Sequence, residues 1–188
     1  MSSCYNSRVA LVVAVVASVF SRFSAFGFSG SRSSVPSGCS VAVSFVPSGA
    51  DVFVGCAAGV DAFFRSAFPS ARVFNASAFG SGRSAFAARS VAVVRAVGAA
   101  AGLWVSFPSS PCPAGLVPSS SSSRCFCGSG SGSWASLAFA LGSGVPCLVF
   151  LGSLSCPVGW GLSPVLGCSG WFGCGLVLGR AAVQLSLF

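Results

Sequence analysis

Three glycine turns, each directly behind a short apolar run, constrain this chain more than any other feature. They are Phe28-Ser-Gly-Ser-Arg32, Gly55-Cys-Ala-Ala-Gly-Val-Asp61 and Gly128-Ser-Gly-Ser-Gly-Ser-Trp-Ala-Ser136. Glycine admits positive φ and lets a backbone come close to a bound anion, and the first amides of a following helix then point at that anion. The third turn runs into an apolar helical segment and then into the strand-like run Val145 to Leu151, an order suited to cradling phosphate.

The rest of the chain supplies the elements that such turns would connect. Ala25 to Phe28 reads as a first strand and Asp51 to Val54 as a second, with a helix over Val35 to Val46 between them. Gly59 to Phe68 reads as a helix, Arg72 to Asn75 as a third strand, and Arg83 to Ala101, free of proline, as the longest helix. Leu103 to Phe107 is a fourth strand, Pro108 to Ser123 a Pro/Ser-rich loop, Trp134 to Leu141 a helix and Val145 to Leu151 a fifth strand. Strands without polar alternation belong to parallel sheets covered on both faces. The expected fold is therefore α/β: one doubly wound, mostly parallel sheet of five strands or slightly more, with helices on both faces. In an open sheet of this kind the loops at the carboxyl ends of the strands line one crevice, where ligands bind.

A chain of 188 residues supports one domain with a real core. Residues 1–24 read as an N-terminal apolar helical extension and residues 25–151 as the domain. Residues 152–188, with Trp160 and Trp171 amid glycines, read as an irregular cover over the sheet. Arg8 followed by the apolar run Val9 to Phe20 has the length of a signal-peptide core and is too short to span a bilayer. A buried helix packed on the sheet is the preferred reading of that run. Other apolar stretches are interrupted by Arg89 and Arg95, by Gly142 to Pro146, or by repeated Gly and Pro, which argues against an integral membrane protein.

The chain has no Lys, Glu, His, Ile or Thr. All five types need adenine at the first or second codon position, so the gene is adenine-poor, and Arg, Ser and Val stand where Lys, Thr and Ile are usual. The formal charge of +8 favours anionic partners. The arginines are dispersed, without the basic block of a nucleic-acid-binding tail. The ten cysteines lie mostly inside apolar runs, as Cys56 and Cys147 do, which points to reduced, buried thiols and a cytoplasmic setting rather than a disulfide framework. Cys125-Phe-Cys127 is not a Cys-x-x-Cys pair and no histidine completes a zinc site, so no metal is expected and no cofactor is implied.

The candidate ligand-binding residues are Ser29, Gly30, Ser31 and Arg32 in the first turn, and Gly55, Gly59 and Asp61 in the second. Arg83 and Arg89 follow on the long helix, with Gly128, Gly130, Gly132 and Ser133 in the third turn. A guanidinium matches phosphate through its planar, permanently charged donors. Asp61 has two readings, acceptor for a ribose hydroxyl or stabiliser of a helix start. Arg89 has two as well, phosphate contact or structural charge framed by apolar residues.

In their order and spacing, Gly-Ser-Arg at 30–32, Gly-x-Ala-x-Gly-x-Asp at 55–61, an Arg-bearing helix and Gly-Ser-Gly-Ser at 130–133 resemble the Rossmann-type superfamily of DNA-processing protein A and the lonely-guy phosphoribohydrolases. The resemblance spans Gly27 to Leu151 and implies a Rossmann-like nucleotide-binding domain. It also implies a nucleotide, nucleotide derivative or single-stranded DNA as ligand, a role in DNA recombination or mobile-element biology, and leaves a homodimer open. Phosphoribohydrolases of this type carry Pro-Gly-Gly-x-Gly-Thr-x-x-Glu, and alignment of that Gly-Thr with Gly132-Ser133 puts Ser136 at the glutamate. A hydroxyl does not replace a carboxylate beside a developing oxocarbenium ion. The expectation is therefore a non-catalytic phosphate-binding protein. The alternatives are a degenerate nucleoside-monophosphate phosphoribohydrolase and a small membrane or secreted protein.

Overall fold

The computed structural model describes residues 15–128 and 130–176. Residues 1–14 of the N-terminal extension, Ser129 in the third turn and the last twelve residues of the tail lie outside them. The order of elements is α1 (residues 15–20), β1 (Ala25–Gly30), α2 (Gly38–Phe45), β2 (Asp51–Gly55), α3 (Val60–Ala67) and β3 (Arg72–Phe74). A 3-10 turn at Ala76–Phe79 leads to α4 (Gly82–Ala99), β4 (Leu103–Phe107), α5 (Ser122–Cys125), α6 (Gly132–Gly142), β5 (Cys147–Phe150), β6 (Ser163–Pro164) and β7 (Trp171–Cys174). No helix among the described residues is long and apolar enough to cross a membrane.

All the strands join one mixed, mostly parallel sheet in the order β3-β2-β1-β4-β5-β7-β6. β1 pairs in parallel with both β2 and β4, while β7 runs antiparallel to β5 and to β6. Alternation along the strands divides the apolar side chains into two cores, one on each face. Phe26, Phe28, Val52, Val54, Leu103, Val105 and Phe107 point to one core with Phe20 of α1, Cys39 of α2 and Phe64 of α3. Ala25, Phe53, Trp104, Cys147 and Val149 point to the other, with Val93, Val94 and Val97 of α4 and Leu137 of α6. Gly27 lies on that second face, where a Cβ would collide with Val97 and Trp104, so α4 packs directly against the β1 backbone.

Burial along α4 follows the turn of the helix. Ala85, Arg89, Val93, Val94 and Val97 are buried at helical spacing and the exposed positions lie between them. α6 is buried along Trp134 to Ala140, as expected of a helix held between the sheet and its neighbours.

The C-terminal segment corrects the irregular reading of the tail. Trp171, Phe172, Gly173 and Cys174 alternate buried and half-buried and form β7 against the free edge of β5. Trp171 reaches the first core, packing edge-on to Phe107 with ring centres 5.8 Å apart and against Phe150 at 5.2 Å. A strand of four residues between glycine-rich turns carries too little period to be seen in sequence. Likewise Ser122–Cys125 forms a short helix where the Pro/Ser-rich stretch predicted loop, and helix α2 starts only after Pro36.

Removal of the Trp171 side chain leaves a large cavity, so Trp171→Ala should lower the unfolding free energy by about 3–5 kcal/mol in urea titrations. Burial also pushes the Cys39 thiol up from 9.0 to about 12. The unfolded chain ionises first, so this thiol supports the fold fully below about pH 9 and loses that contribution as pH rises towards 12. Stability should fall across this window, and Cys39→Ala should show a shallower fall in the urea midpoint.

Candidate functional site

The first two glycine turns leave the neighbouring strands β1 and β2 at the same edge of the sheet, and the third, between α5 and α6, lines the same cleft. β1 ends at Gly30, β2 at Gly55 and β4 at Phe107, and the parallel register sets Ser29 beside Ser106 and Gly30 beside Phe107. From β1 the chain moves through β2 to β3 on one side, then crosses to β4 on the other, so its direction reverses between β1 and β4. At such a reversal the loops on either side part and leave a crevice. A cleft of about 720 Å³ opens there, within the range of small-molecule sites. Ser29, Gly30, Ser31, Arg32, Gly55, Asp61, Arg83, Arg89, Gly128, Gly130, Gly132 and Ser133 all line it.

Gly59 is the exception and has another task. It sits at φ +65, and a Cβ there would meet the Ser31 carbonyl and the Arg32 backbone. The Val60 amide donates to that Ser31 carbonyl at 2.9 Å. Gly59 thus lets the second turn lie against the first, and its contribution to the cleft is close packing rather than lining.

Ser31 is likewise spent on structure. Its amide donates to the Phe107 carbonyl, and its hydroxyl accepts from the amides of Ser33 and Ser34 at 3.2 Å each. The Ser31 amide thus closes a strand-end hydrogen bond rather than facing the cleft. What the first turn presents freely is Arg32, an exposed residue whose guanidinium lies 4.4 Å from the ring centre of Phe86 on α4. The aromatic face steadies the cation and leaves its edge donors open. Arg83, also exposed, stands at the start of the same helix.

Arg89 and Asp61 find each other. Arg89 Nη1 meets Asp61 Oδ2 at 2.7 Å with both side chains more than nine-tenths buried. The same carboxylate oxygen accepts the Ala57 amide at 3.2 Å. This pairing favours the structural reading of Arg89 over a phosphate contact and leaves Asp61 no open acceptor role, since either charge, without its partner, would be left uncompensated in the interior. Gly55 belongs to the same unit. A Cβ at this position would fall on the Arg89 guanidinium, so the glycine provides the room the ion pair needs.

Other contributors had little or no sequence signal. Arg65, one helical turn beyond Asp61 on α3, donates through Nη1 to the carbonyls of Gly55 at 2.7 Å and Ala57 at 2.9 Å, bracing the second turn. Its spacing of four residues from Asp61 was the available clue. Ser106, fully buried, lies with its Oγ 3.4 Å from that of Ser29 and 3.5 Å from the Ser133 carbonyl, so it joins the ends of β1 and β4 to the third turn. Ser109 and Ser110 line the cleft from the loop after β4, and the Ser110 carbonyl accepts the Trp134 indole N–H at 2.8 Å.

The third turn combines Gly128 and Gly130, at φ +89 and +96, with the start of α6 at Gly132. The first amides of that eleven-residue helix have no intrahelical acceptors and open beside the cleft. Ser136 is buried and donates its hydroxyl hydrogen to the Gly132 carbonyl at 2.7 Å. No group of three or more His, Cys, Asp or Glu side chains among the described residues is arranged to hold a metal ion.

The electrostatics of the cleft follow from an inventory of carboxylates. The chain has two acidic residues. Asp61 is neutralised by Arg89, and Asp51 opens β2 at the opposite end of the strand from Gly55. Among the described residues, Arg32 and Arg83 therefore face the cleft with no carboxylate to balance them.

Removing one partner of the buried pair strands the other. Asp61→Ala and Arg89→Ala should each cost about 3–5 kcal/mol of folding stability. The double variant Asp61→Ala/Arg89→Ala should cost clearly less than the sum, as read in a urea-denaturation cycle. An additive double variant would show that the pair is not coupled.

No family model, curated protein or solved structure matches the chain.

Proposed function

We propose that this protein is a binding module for a nucleotide or nucleotide derivative, held by its phosphate at the cleft beyond β1, β2 and β4. The observation that carries the reading is the pair of uncompensated guanidiniums, Arg32 and Arg83, on a cleft that is also lined by the glycine turns and the N-terminal end of α6. Helix N-terminal amides favour negative charge, and arginine adds planar donors and permanent charge. The strand order of the parallel part, with the crevice at its reversal, supports a Rossmann-like domain similar to that of DNA-processing protein A. In this reading single-stranded DNA is a second ligand of the same phosphate chemistry, with a role in recombination or mobile-element biology. The buried thiols of Cys39, Cys125 and Cys147 fit a reducing, cytoplasmic environment.

The reading is one of binding without catalysis. A phosphoribohydrolase of the lonely-guy type needs a free carboxylate at the scissile bond. The chain has no glutamate, Asp61 is engaged by Arg89, and the Ser136 hydroxyl is engaged by its own helix.

Isothermal titration with AMP, ribose 5-phosphate, a cyclic nucleotide and a short single-stranded oligonucleotide tests the proposal. Hydrogen bonds to charged groups are worth about 1.5–3 kcal/mol, so Arg32→Ala should weaken the preferred ligand by about tenfold or more. Added salt should weaken an oligonucleotide more steeply than a mononucleotide, because more counterions are released. Unchanged affinity in Arg32→Ala would refute the phosphate assignment.

A further inference from the structure

Strand β7 sets one cysteine directly against another. Cys174 of β7 stands opposite Cys147 of β5 in the antiparallel register, and no other strand pairing among the described residues sets two cysteines face to face. Directly opposite residues of an antiparallel pair share one face of the sheet. Here it is the face of the second core, where Cys147 and Val149 of β5 lie and Phe172 of β7 packs. One register step beyond this ladder, the Leu151 amide donates to the Gly170 carbonyl at 2.7 Å. Hydrogen-bonded and non-bonded pairs alternate along an antiparallel ladder, which makes Cys147 and Cys174 a bonded pair with Cα atoms about 5.5 Å apart. A disulfide most often spans about 5.5–6 Å between Cα atoms.

The surroundings of the pair fit a bond that forms and breaks. Both thiols are free, with Cys147 buried and Cys174 half-buried. Burial pushes the Cys147 thiol well up, and the Cys174 thiol pushes it further, so the two sulfurs lie within electrostatic reach of each other. The Cβ atoms of opposite residues stand about 4.5–5.5 Å apart, against about 3.8 Å in a disulfide, so closing the bond needs a shift of about 1 Å. Glycines on both sides of Cys174 make that shift feasible. Gly175, at φ +69, brings the chain so close that a Cβ there would stand 3.4 Å from the Cα of Pro146, the residue before Cys147. A bond closed against such a displacement is more readily reduced than a relaxed one, which is the property of regulatory disulfides.

We propose that Cys147 and Cys174 form a reversible cross-strand disulfide in response to peroxide, a latch that fastens the tail strand β7 to the sheet. Cys174, the more exposed sulfur, attacks hydrogen peroxide as its thiolate; the O–O bond breaks, one water leaves and Cys174 becomes a sulfenic acid. The Cys147 thiolate then attacks the Cys174 sulfur, the S–O bond breaks, and the departing hydroxide takes the proton given up by Cys147 to leave as a second water. Two thiols and one peroxide thus give one disulfide and two waters, and a low-molecular-weight thiol in excess reverses the change. In the reduced protein β7 is held by a four-residue ladder and by Trp171. The bridge closes the chain between β5 and β7 into a loop and keeps the edge of β5 covered, where an open edge would invite pairing with another chain. The latch is independent of the ligand proposed for the cleft.

Peroxide treatment of the full native chain, followed by alkylation of the remaining thiols, proteolysis and mass spectrometry, tests the proposal. A peptide joining Cys147 to Cys174, two hydrogens lighter than its parts, should be the main oxidised product and should vanish with dithiothreitol. The urea midpoint should rise on oxidation and return on reduction, and Cys174→Ala should abolish the rise. In Cys147→Ala the sulfenic acid has no resolving thiol, so dimedone should capture Cys174. Bridges that mainly join other cysteines, a Cys174 that stays reduced or passes to sulfinic acid without bridging, or a bridge formed only in concentrated urea overturn the proposal. A bridged protein with an unchanged midpoint overturns the latch. Should either variant fail to fold, the peptide map and midpoint of the wild type decide the matter.

Discussion

Asp61 and Arg89 meet inside the molecule at 2.7 Å, and much of the upper edge of the sheet is arranged around that contact. It ties the first turn of α3 to the middle of α4, across the end of β2. The fit is possible only because Gly55 has no side chain, Ala57 turns its amide onto the same carboxylate, and Arg65 holds the carbonyls on the other side of the turn. Buried pairs of this kind add less to stability than their Coulomb energy suggests, because both ions are taken out of water. Their stronger effect is on geometry: neither partner can leave without stranding the other. The second glycine turn is therefore a rigid wall of the cleft.

The same pair determines the charge of the cleft. In a chain with two carboxylates, consuming one in the interior leaves the neighbouring arginines unbalanced. Arg32, resting on Phe86, and Arg83 are then available to an anion. The sheet completes the arrangement by bringing β1 and β4 side by side, with Ser29, Ser106 and the Ser133 carbonyl in a chain of contacts that seats α6 over the strand ends. On the far side, β7 and Trp171 cover the edge of β5 and part of the first core. The molecule is closed by its tail and open at its glycine turns.

Much of this was legible in the amino-acid order because the elements of the central region agree with their local signals. The parallel strands are short and mostly apolar, α4 is a long run of helix formers without proline, and glycines stand at the ends of β1 and β2. The boundaries Leu103–Phe107 fell where the apolar run did, and the other strand and helix ends moved by a few residues. What escaped notice had weak local signal. β7 has four residues, β6 has two, and α5 is a single helical turn in a serine-rich stretch. Their formation depends on β5 and α6 already being in place, a long-range condition that no local pattern records.

The candidate site divides along the same line. Sequence by itself determined that glycine turns would follow the first two strands, that arginines would outnumber carboxylates, and that the chain has no glutamate, since these are properties of residue type and spacing. Only the tertiary structure decided that Arg89 and Asp61 spend their charges on each other, that Ser31 and Gly59 serve loop packing, and that Trp104 and Ser106 stand in or beside the cleft. The physical reason is distance. A side chain's partner is chosen among neighbours brought together by the sheet, twenty-eight residues apart for the ion pair and seventy-seven for Ser29 and Ser106, and such choices are absent from any short stretch of the chain.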